Sequence, residues 1–342
     1  LAPKMQLPIT TRLKILSGMD IAEKRRPQDG KIETRIANQE LDIRVSALPL
    51  NEGESIVLRF LLKESINYDM SILGLSEDTQ GYIQQDLAKT TGVILLTGPT
   101  GSGKTTTLYT FLNELNNPDV KIITLEDPVE YQLEGVNQVQ VNPDIGFDFA
   151  AGLRSIVRQD PDIIMVGEIR DAETARIALQ SALTGHLVFS TVHTNDAASA
   201  YTRLLDLGVE EFLLNAALVS VVAQRLARRL CEKCAIPADN VQELMDKYPL
   251  RQIADNAGVK NINILQANGC EHCGGNGYKG RIAINEYLRS DDTIKELSKN
   301  DQFIGKAKAH NSSLNRRDLM EDGFYKVITG VTTIDEVLRV AG

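Results

Sequence analysis

The chain has 342 residues, with 37 Lys and Arg against 46 Asp and Glu, a formal net charge of −9 and 42% apolar residues. That length accommodates two domains and a smaller module, in the balance of an ordinary globular protein. The acidic surplus excludes a protein whose main work is coating nucleic acid, and no apolar run approaches the ~18 residues needed to cross a bilayer. Charge is uneven, however: Lys4 to Arg35 is basic, and Gln224 to Arg229 forms a second basic cluster. The opening residues from Leu1 to Pro8 lack the apolar stretch of a secretory signal, and Leu1 in place of an initiator Met is expected of a chain trimmed at its start. The four cysteines stand as two C-x-x-C pairs, which without a signal reads as metal ligation in the cytoplasm.

In chain order, Ile9 to Ala22 carries Ile9, Leu13, Leu16 and Met19 at helical spacing and ends before the turn signal Pro27-Gln-Asp-Gly30. Three strand-like runs follow, at 31–36, 41–46 and 55–60, with Asn51-Glu-Gly-Glu54 as a turn between the last two. This predicts a small α+β domain over residues 1–64, followed by a linker over 65–74. From Leu75 apolar strands alternate with helices, the sequence form of a parallel α/β sheet. The strands are expected at 93–96, 121–125, 162–166 and 186–192. Helices are expected at 172–184 and 197–207, with a longer apolar-rich helix from Phe212 to Leu230. The α/β core thus runs over 75–230. A cysteine- and glycine-punctuated module follows over 231–280, with its own helical stretch near Val241 to Tyr248, and then a helical subdomain over 281–342, its helices expected from Asp292 to the end.

The motif with the clearest chemistry is Gly98-Pro99-Thr100-Gly101-Ser102-Gly103-Lys104-Thr105. It follows an apolar strand and opens a helix, the context that makes G-x-x-x-x-G-K-T a phosphate-binding loop. Its glycines let N–H groups turn toward a phosphate, and the helix start, through Thr106, adds partial positive charge. Lys104 is expected on the β- and γ-phosphates of ATP and the Thr105 hydroxyl on Mg²⁺. Glu168, ending the run Ile163-Ile-Met-Val-Gly-Glu168, is the expected second Mg²⁺ anchor and, being longer than Asp, acts through a water. The acids Glu126, Asp127 and Glu130 end another strand, where ligands of open parallel sheets bind. Spacing alone leaves open which of them orients the attacking water.

His186 and His193 bracket one strand, with His193 at its carboxyl end. Arg154 and Arg158 lie on one helix face, and Arg44 and Arg59 lie on strands of the first domain. From the residues alone, solvated arginines are the better reading of that last pair. Cys231, Cys234, Cys270 and Cys273 have the make-up of a structural Cys₄ zinc site, whereas His272, between two cysteines, is poorly placed as a ligand.

Taken together, the phosphate loop, the "TLEDPVEY", "VGEIRDAETA" and "TGHLVFSTVHTN" boxes and the tetracysteine module resemble the bacterial secretion ATPases across nearly the whole chain. The likeness is closest to the type II secretion ATPases (general secretory pathway protein E). Type IV pilus extension ATPases are near neighbours, and Leu207 to Leu226 reads closer to type II secretion. Pilus retraction ATPases lack the cysteine module. The resemblance implies an α/β protein with a RecA-like P-loop ATPase domain, a small PAS-like α+β domain ahead of it and a tetracysteine zinc-binding insertion. It further implies Glu130 as the catalytic glutamate, Glu168 as the Walker B acid, and His186 and His193 as the histidine box. Arg44, Arg59, Arg154 and Arg158 become arginines that approach the phosphates. The expected assembly is a homo-hexamer at the cytoplasmic face of the inner membrane. It would bind secretion-platform proteins there mainly through a further N-terminal domain absent from this sequence, with no nucleic-acid partner and no membrane span.

Overall fold

Apolar residues build one core in the first compact unit of the chain, Leu1–Asn67, and one on each face of the sheet in the second, Tyr68–Gly342. The structure, a computed structural model, describes residues 3–36, 39–62 and 68–342.

In the first unit, helix α1 (Gln6–Leu16) packs on an antiparallel sheet of β1 (Gln28–Ile36), β2 (Gln39–Leu50) and β3 (Gly53–Leu62), in the order β1-β2-β3. Ile43, Val45 and Ala47 point inward from β2 and join Ile32 and Met19, the period of two that a half-buried strand requires. The helix ends at Leu16 rather than at Ala22, because Gly18 takes a left-handed turn (φ 74°) and Ser17 caps the last carbonyls. On the outer face Arg44 stands directly across from Arg59, and Lys31 across from Arg44. Residues 63–67, where the first domain and linker were expected to meet, lie outside the described residues. The linker expected over 65–74 does not extend through its second half, since Met70 and Leu73 are already buried in the core of the second unit.

The second unit is a seven-stranded sheet covered on both faces. Its elements are α2 (Glu77–Leu87), β4 (Gly92–Thr97), α3 (Lys104–Leu115), β5 (Ile122–Glu126), β6 (Asn137–Gln140), α4 (Phe149–Ile156), β7 (Ile163–Val166) and α5 (Ala172–Leu183). These are followed by β8 (Leu187–Val192), α6 (Ser199–Asp206), α7 (Glu211–Ala217) and β9 (Leu218–Leu230). Then come β10 (Ile236–Pro237), α8 (Val241–Lys247), α9 (Leu250–Asn256), β11 (Leu265–Gln266) and β12 (Tyr278–Arg289). Four helices close the chain: α10 (Asp292–Glu296), α11 (Phe303–Ser313), α12 (Leu319–Ile328) and α13 (Ile334–Ala341).

The strand order is β12-β9-β4-β8-β7-β5-β6, parallel throughout except for the β9/β12 pair. Each central strand feeds both faces. Val93 and Leu95 of β4 join the larger core, while Ile94 and Leu96 join the smaller one with α2 and α3.

Two expectations are corrected here. The long helix expected from Phe212 to Leu230 is a short helix, α7, followed by strand β9. A strand buried on both faces presents a continuous apolar run, as a buried helix does, and the β-branched Val219, Val221 and Val222 favour the strand. The helical subdomain drawn over 281–342 opens with a strand, while its helices begin at Asp292, where they were expected. Residues 281–289 belong to β12, which pairs antiparallel with β9, and its Asn285 and Glu286 interrupt the apolar pattern that would have marked it.

Candidate functional site

All the parallel strands end on the same side of the sheet, so the loops after β4, β8, β7 and β5 stand next to one another. The loop after β4 is the expected phosphate loop, residues 98–103, and α3 begins at Lys104. Two glycines are required by its geometry. Gly98 has φ 147°, and a Cβ there would stand 2.4 Å from the carbonyl oxygen of Gln224. Gly103 caps α3 at φ 89°, and a Cβ there would meet Gln224 Nε2 at 2.7 Å. Lys104 Nζ donates to the carbonyls of Gly98 (2.7 Å) and Pro99 (3.1 Å), which holds the amine over the loop. Burial pushes the Lys104 ammonium below its ordinary pKa, partly offset by Glu168 and reinforced by Arg225. Ser102 Oγ is buried at the loop with no partner among the described residues, and Thr105 and Thr106 are exposed on the first turn of α3. These are the features a bound phosphate chain and its cation use.

The neighbouring strand ends bring their own groups. Glu168, two residues past β7, is paired with Arg170 and lies 3.5 Å from Nε2 of His193, the residue after β8. Thr194 is laced to the end of β4, its N–H donating to Thr97 Oγ1 at 2.8 Å. The structure therefore brings Lys104, Glu168 and His193 to one end of the sheet.

It does not bring His186 there. His186 precedes β8 and sits at the opposite end of the sheet, about 20 Å away by strand rise, with Nδ1 2.8 Å from the Ser181 carbonyl oxygen. Arg154, on α4, is exposed and ion-paired with Glu173. Arg158, in the 3-10 turn after α4, donates to the Arg154 carbonyl at 2.6 Å, and among the described residues no hydrogen bond joins either arginine to the phosphate loop. Arg44 and Arg59 belong to the first unit.

The three acids after β5 separate by environment. Glu126 is buried and accepts from Tyr109 Oη (2.5 Å), Thr124 Oγ1 (2.6 Å) and Gln138 Nε2 (3.2 Å), and burial pushes its carboxyl up. It is a structural anchor. Asp127 is exposed, and the Glu130 N–H donates to Tyr109 Oη at 3.3 Å, so the same tyrosine ties the loop carrying Glu130 to Glu126.

Gln224, Arg225, Arg170 and Tyr109 went unread in the sequence. Gln224 and Arg225 fell inside a basic cluster read only for its charge. The available signal was a lone amide at the end of the otherwise apolar or small-residue run 218–224, which once buried needs partners.

The cysteines converge as expected. Cys231, Cys234, Cys270 and Cys273 place their Sγ atoms within 4.8 Å of one another. The Sγ pairs 231/270, 234/273 and 270/273 stand 3.9, 3.8 and 3.8 Å apart. Four thiolates about 2.3 Å from a tetrahedral Zn²⁺ stand about 3.8 Å apart, so this donor set fits zinc. The N–H groups of Cys270 and Gly277 each donate to Cys273 Sγ at 3.2 Å, the orientation that favours a thiolate ligand.

A glycine-turned loop at the carboxyl ends of a parallel sheet, faced by Lys104, Glu168 and His193, defines a P-loop α/β protein of the RecA-like kind, here with a tetracysteine module. More particularly, the chain belongs to the type II/IV secretion system protein family, whose model matches residues 2–339. It is 48% identical over 98% of its length to type II secretion system protein E of Xanthomonas campestris pv. campestris, covering 59% of that protein. It is 46% identical, again over 98% of its length, to the type IV pilus assembly ATPase PilB of Myxococcus xanthus. The chain spans 59–67% of the length of its first curated relatives. Among solved structures, the pilus retraction motor PilT with bound ADP aligns over 91% of this chain and 77% of its own, with a TM-score of 0.63 and 25% identity. The ATPase DotB of Legionella pneumophila shares the fold, with a TM-score of 0.65 and 22% identity over 92% of this chain and 77% of its own.

Proposed function

We propose that this chain is the motor portion of a type II secretion ATPase, which hydrolyses ATP to drive assembly of a pilus-like fibre and so protein export. The observation that carries the reading is the phosphate loop with Lys104, Glu168 and His193 gathered at one end of the sheet. Residues 98–106 hold the ATP phosphates through backbone N–H groups and Lys104. Thr105 and Glu168 offer the hard oxygen donors that suit Mg²⁺, which when bound neutralises charge on the β- and γ-phosphates. Glu130 orients the attacking water and accepts its proton, held in place by the Tyr109 bridge to Glu126. His193 fixes the Glu168 carboxylate. Arg44, Arg59, Arg154 and Arg158 supply cations to the transferred phosphoryl group on the family pattern, whereas His186, at the far end of β8, takes no part in that chemistry. Zn²⁺ in the Cys₄ site has a structural role.

On this reading the working form is a homo-hexamer, peripheral at the cytoplasmic face of the inner membrane and bound to secretion-platform proteins there. Among the described residues no helix is long and apolar enough to cross a membrane. Pilus extension is the second reading, favoured by relatives such as PilB at 46% identity.

The test is phosphate release from ATP by the wild type and Glu130→Gln, with Mg²⁺ or EDTA and with or without single-stranded DNA. Turnover that needs Mg²⁺, ignores DNA and falls ~10²-fold or more in the variant is expected. Unchanged turnover in Glu130→Gln would remove Glu130 from the mechanism, and DNA stimulation would replace secretion with nucleic-acid translocation.

A further inference from the structure

The phosphate loop is held from outside itself, by one residue of β9. Gln224 is 2% exposed and ends the buried run 218–223. Both ends of its carboxamide are in use. Nε2 donates to the Ser102 carbonyl at 2.7 Å, and Oε1 accepts from Thr107 Oγ1 at 2.8 Å. Its own carbonyl oxygen closes against Gly98, where a Cβ would come within 2.4 Å. Arg225 steadies this point of the strand, donating to the Gln224 carbonyl at 3.2 Å and to that of Asn195 at 2.7 Å. A single strand residue thus meets the loop at its entrance, at its last turn and at the start of α3.

The bond to Ser102 has a directional effect. In a planar trans peptide the C=O of one residue and the N–H of the next point in opposite directions. Drawing the Ser102 oxygen toward β9 therefore turns the Gly103 N–H away from β9, and the φ of 89° at Gly103 allows it. A phosphate-binding loop works only if its successive N–H groups converge on the ligand. Neither an apolar side chain nor a carboxylate of the same length supplies the donor that this orientation needs.

We propose that Gln224 is a positioning residue for nucleotide binding, fixing the Gly103 N–H through the Ser102 carbonyl. The inference rests on the reading of residues 98–106 as the ATP phosphate site. The Ser102 carbonyl, which can only accept, fixes the amide nitrogen on its side, and Thr107 Oγ1 donates to the amide oxygen left on the other.

The test is binding of a fluorescent ADP analogue, with KM and kcat for ATP and with Tm, for the parent protein and three variants. Gln224→Met, which keeps length but loses both bonds, is expected to weaken binding about tenfold. Gln224→Glu, which sets a carboxylate against the Ser102 oxygen, weakens it further. Thr107→Val, which releases only the acceptor end, costs about threefold. KM rises in the same order, kcat changes less, and Tm stays within a few degrees. Should Gln224→Glu fail to fold, Gln224→Met and Thr107→Val carry the comparison. Parent-like affinity in the folded Gln224 variants, or losses that merely track Tm, would overturn the proposal. A parent protein that binds no nucleotide would instead overturn the phosphate-site reading on which it stands.

Discussion

Glu126 and Glu130 differ by one helical turn's worth of sequence and by their whole surroundings, and Tyr109 lies between them. Its hydroxyl donates to the buried Glu126 carboxylate and accepts the Glu130 N–H. Tyr109→Phe removes both bonds and leaves a buried carboxylate short of a donor. It is expected to cost about 1–3 kcal/mol in denaturant unfolding and to slow turnover by loosening the Glu130 loop. Full activity at lowered stability would show that the loop needs no such anchor.

Glu286 tests electrostatics at the same scale. It is buried on β12 beside Asp196, Lys308 and Asp318, and its pKa is pushed up from the ordinary 4.5 to about 7, chiefly by burial and then by Asp196. Between those values the folded chain binds more protons than the unfolded one, so stability falls as pH rises through that window. Above it the cost reaches about 3 kcal/mol. Glu286→Gln removes the titration while its side chain can still accept the Ala197 N–H. Its Tm advantage over the parent should be small at pH 5 and largest at pH 8. A pH-independent difference would count against a neutral buried Glu286.

At the scale of elements, the cysteine module is an excursion between two paired strands. β9 ends at Leu230 and β12 begins at Tyr278, and the cysteines stand at the two feet of the intervening chain, with Cys231 N–H donating to the Gly277 carbonyl at 2.9 Å. Closing so long a loop costs chain entropy that metal binding at its base offsets. Because β12 is also packed against α12, losing the proposed zinc would loosen the last third of the chain, while the phosphate loop, carried by β4, would be left in place. Cys270→Ser or a strong chelator should therefore lower Tm and raise hydrogen exchange over 231–342, with nucleotide affinity retained in the folded fraction. Loss of nucleotide binding in a folded Cys270→Ser protein would refute that division of labour.

The same elements mark how far the sequence is legible. The cysteine pairs and the phosphate loop carry their chemistry in fixed local spacing and could be read directly. β9 could not, because burial on both faces erases the period of two and leaves a run that also suits a helix. β12 was hidden by Asn285 and Glu286, polar residues that interrupt its apolar pattern; the groups around Glu286 (Asp196 and Lys308) come from distant parts of the chain. Gln224 and Tyr109 escaped because their roles exist only once β9 and α3 pack against the strand-end loops.

For the whole molecule, the placement of Arg154 bears on assembly. Within one chain it is exposed and paired with Glu173, and no hydrogen bond among the described residues carries it to the phosphate loop. On the proposed function, Arg154 would reach the transferred phosphate of a neighbouring copy, and each active site would be shared by two subunits. Two consequences follow for turnover per subunit. It would rise with protein concentration, because dilute chains would lack the second half of that shared site. It also returns when two inactive variants are mixed. Lys104→Ala removes phosphate binding and Arg154→Ala removes the cation; in an equal mixture roughly a quarter of the interfaces combine an intact loop with an intact arginine. Recovery toward that fraction, measured as phosphate release after mixing and reassembly, is the expected result. Turnover that stays at the sum of the two separate variants would place Arg154 outside the shared site.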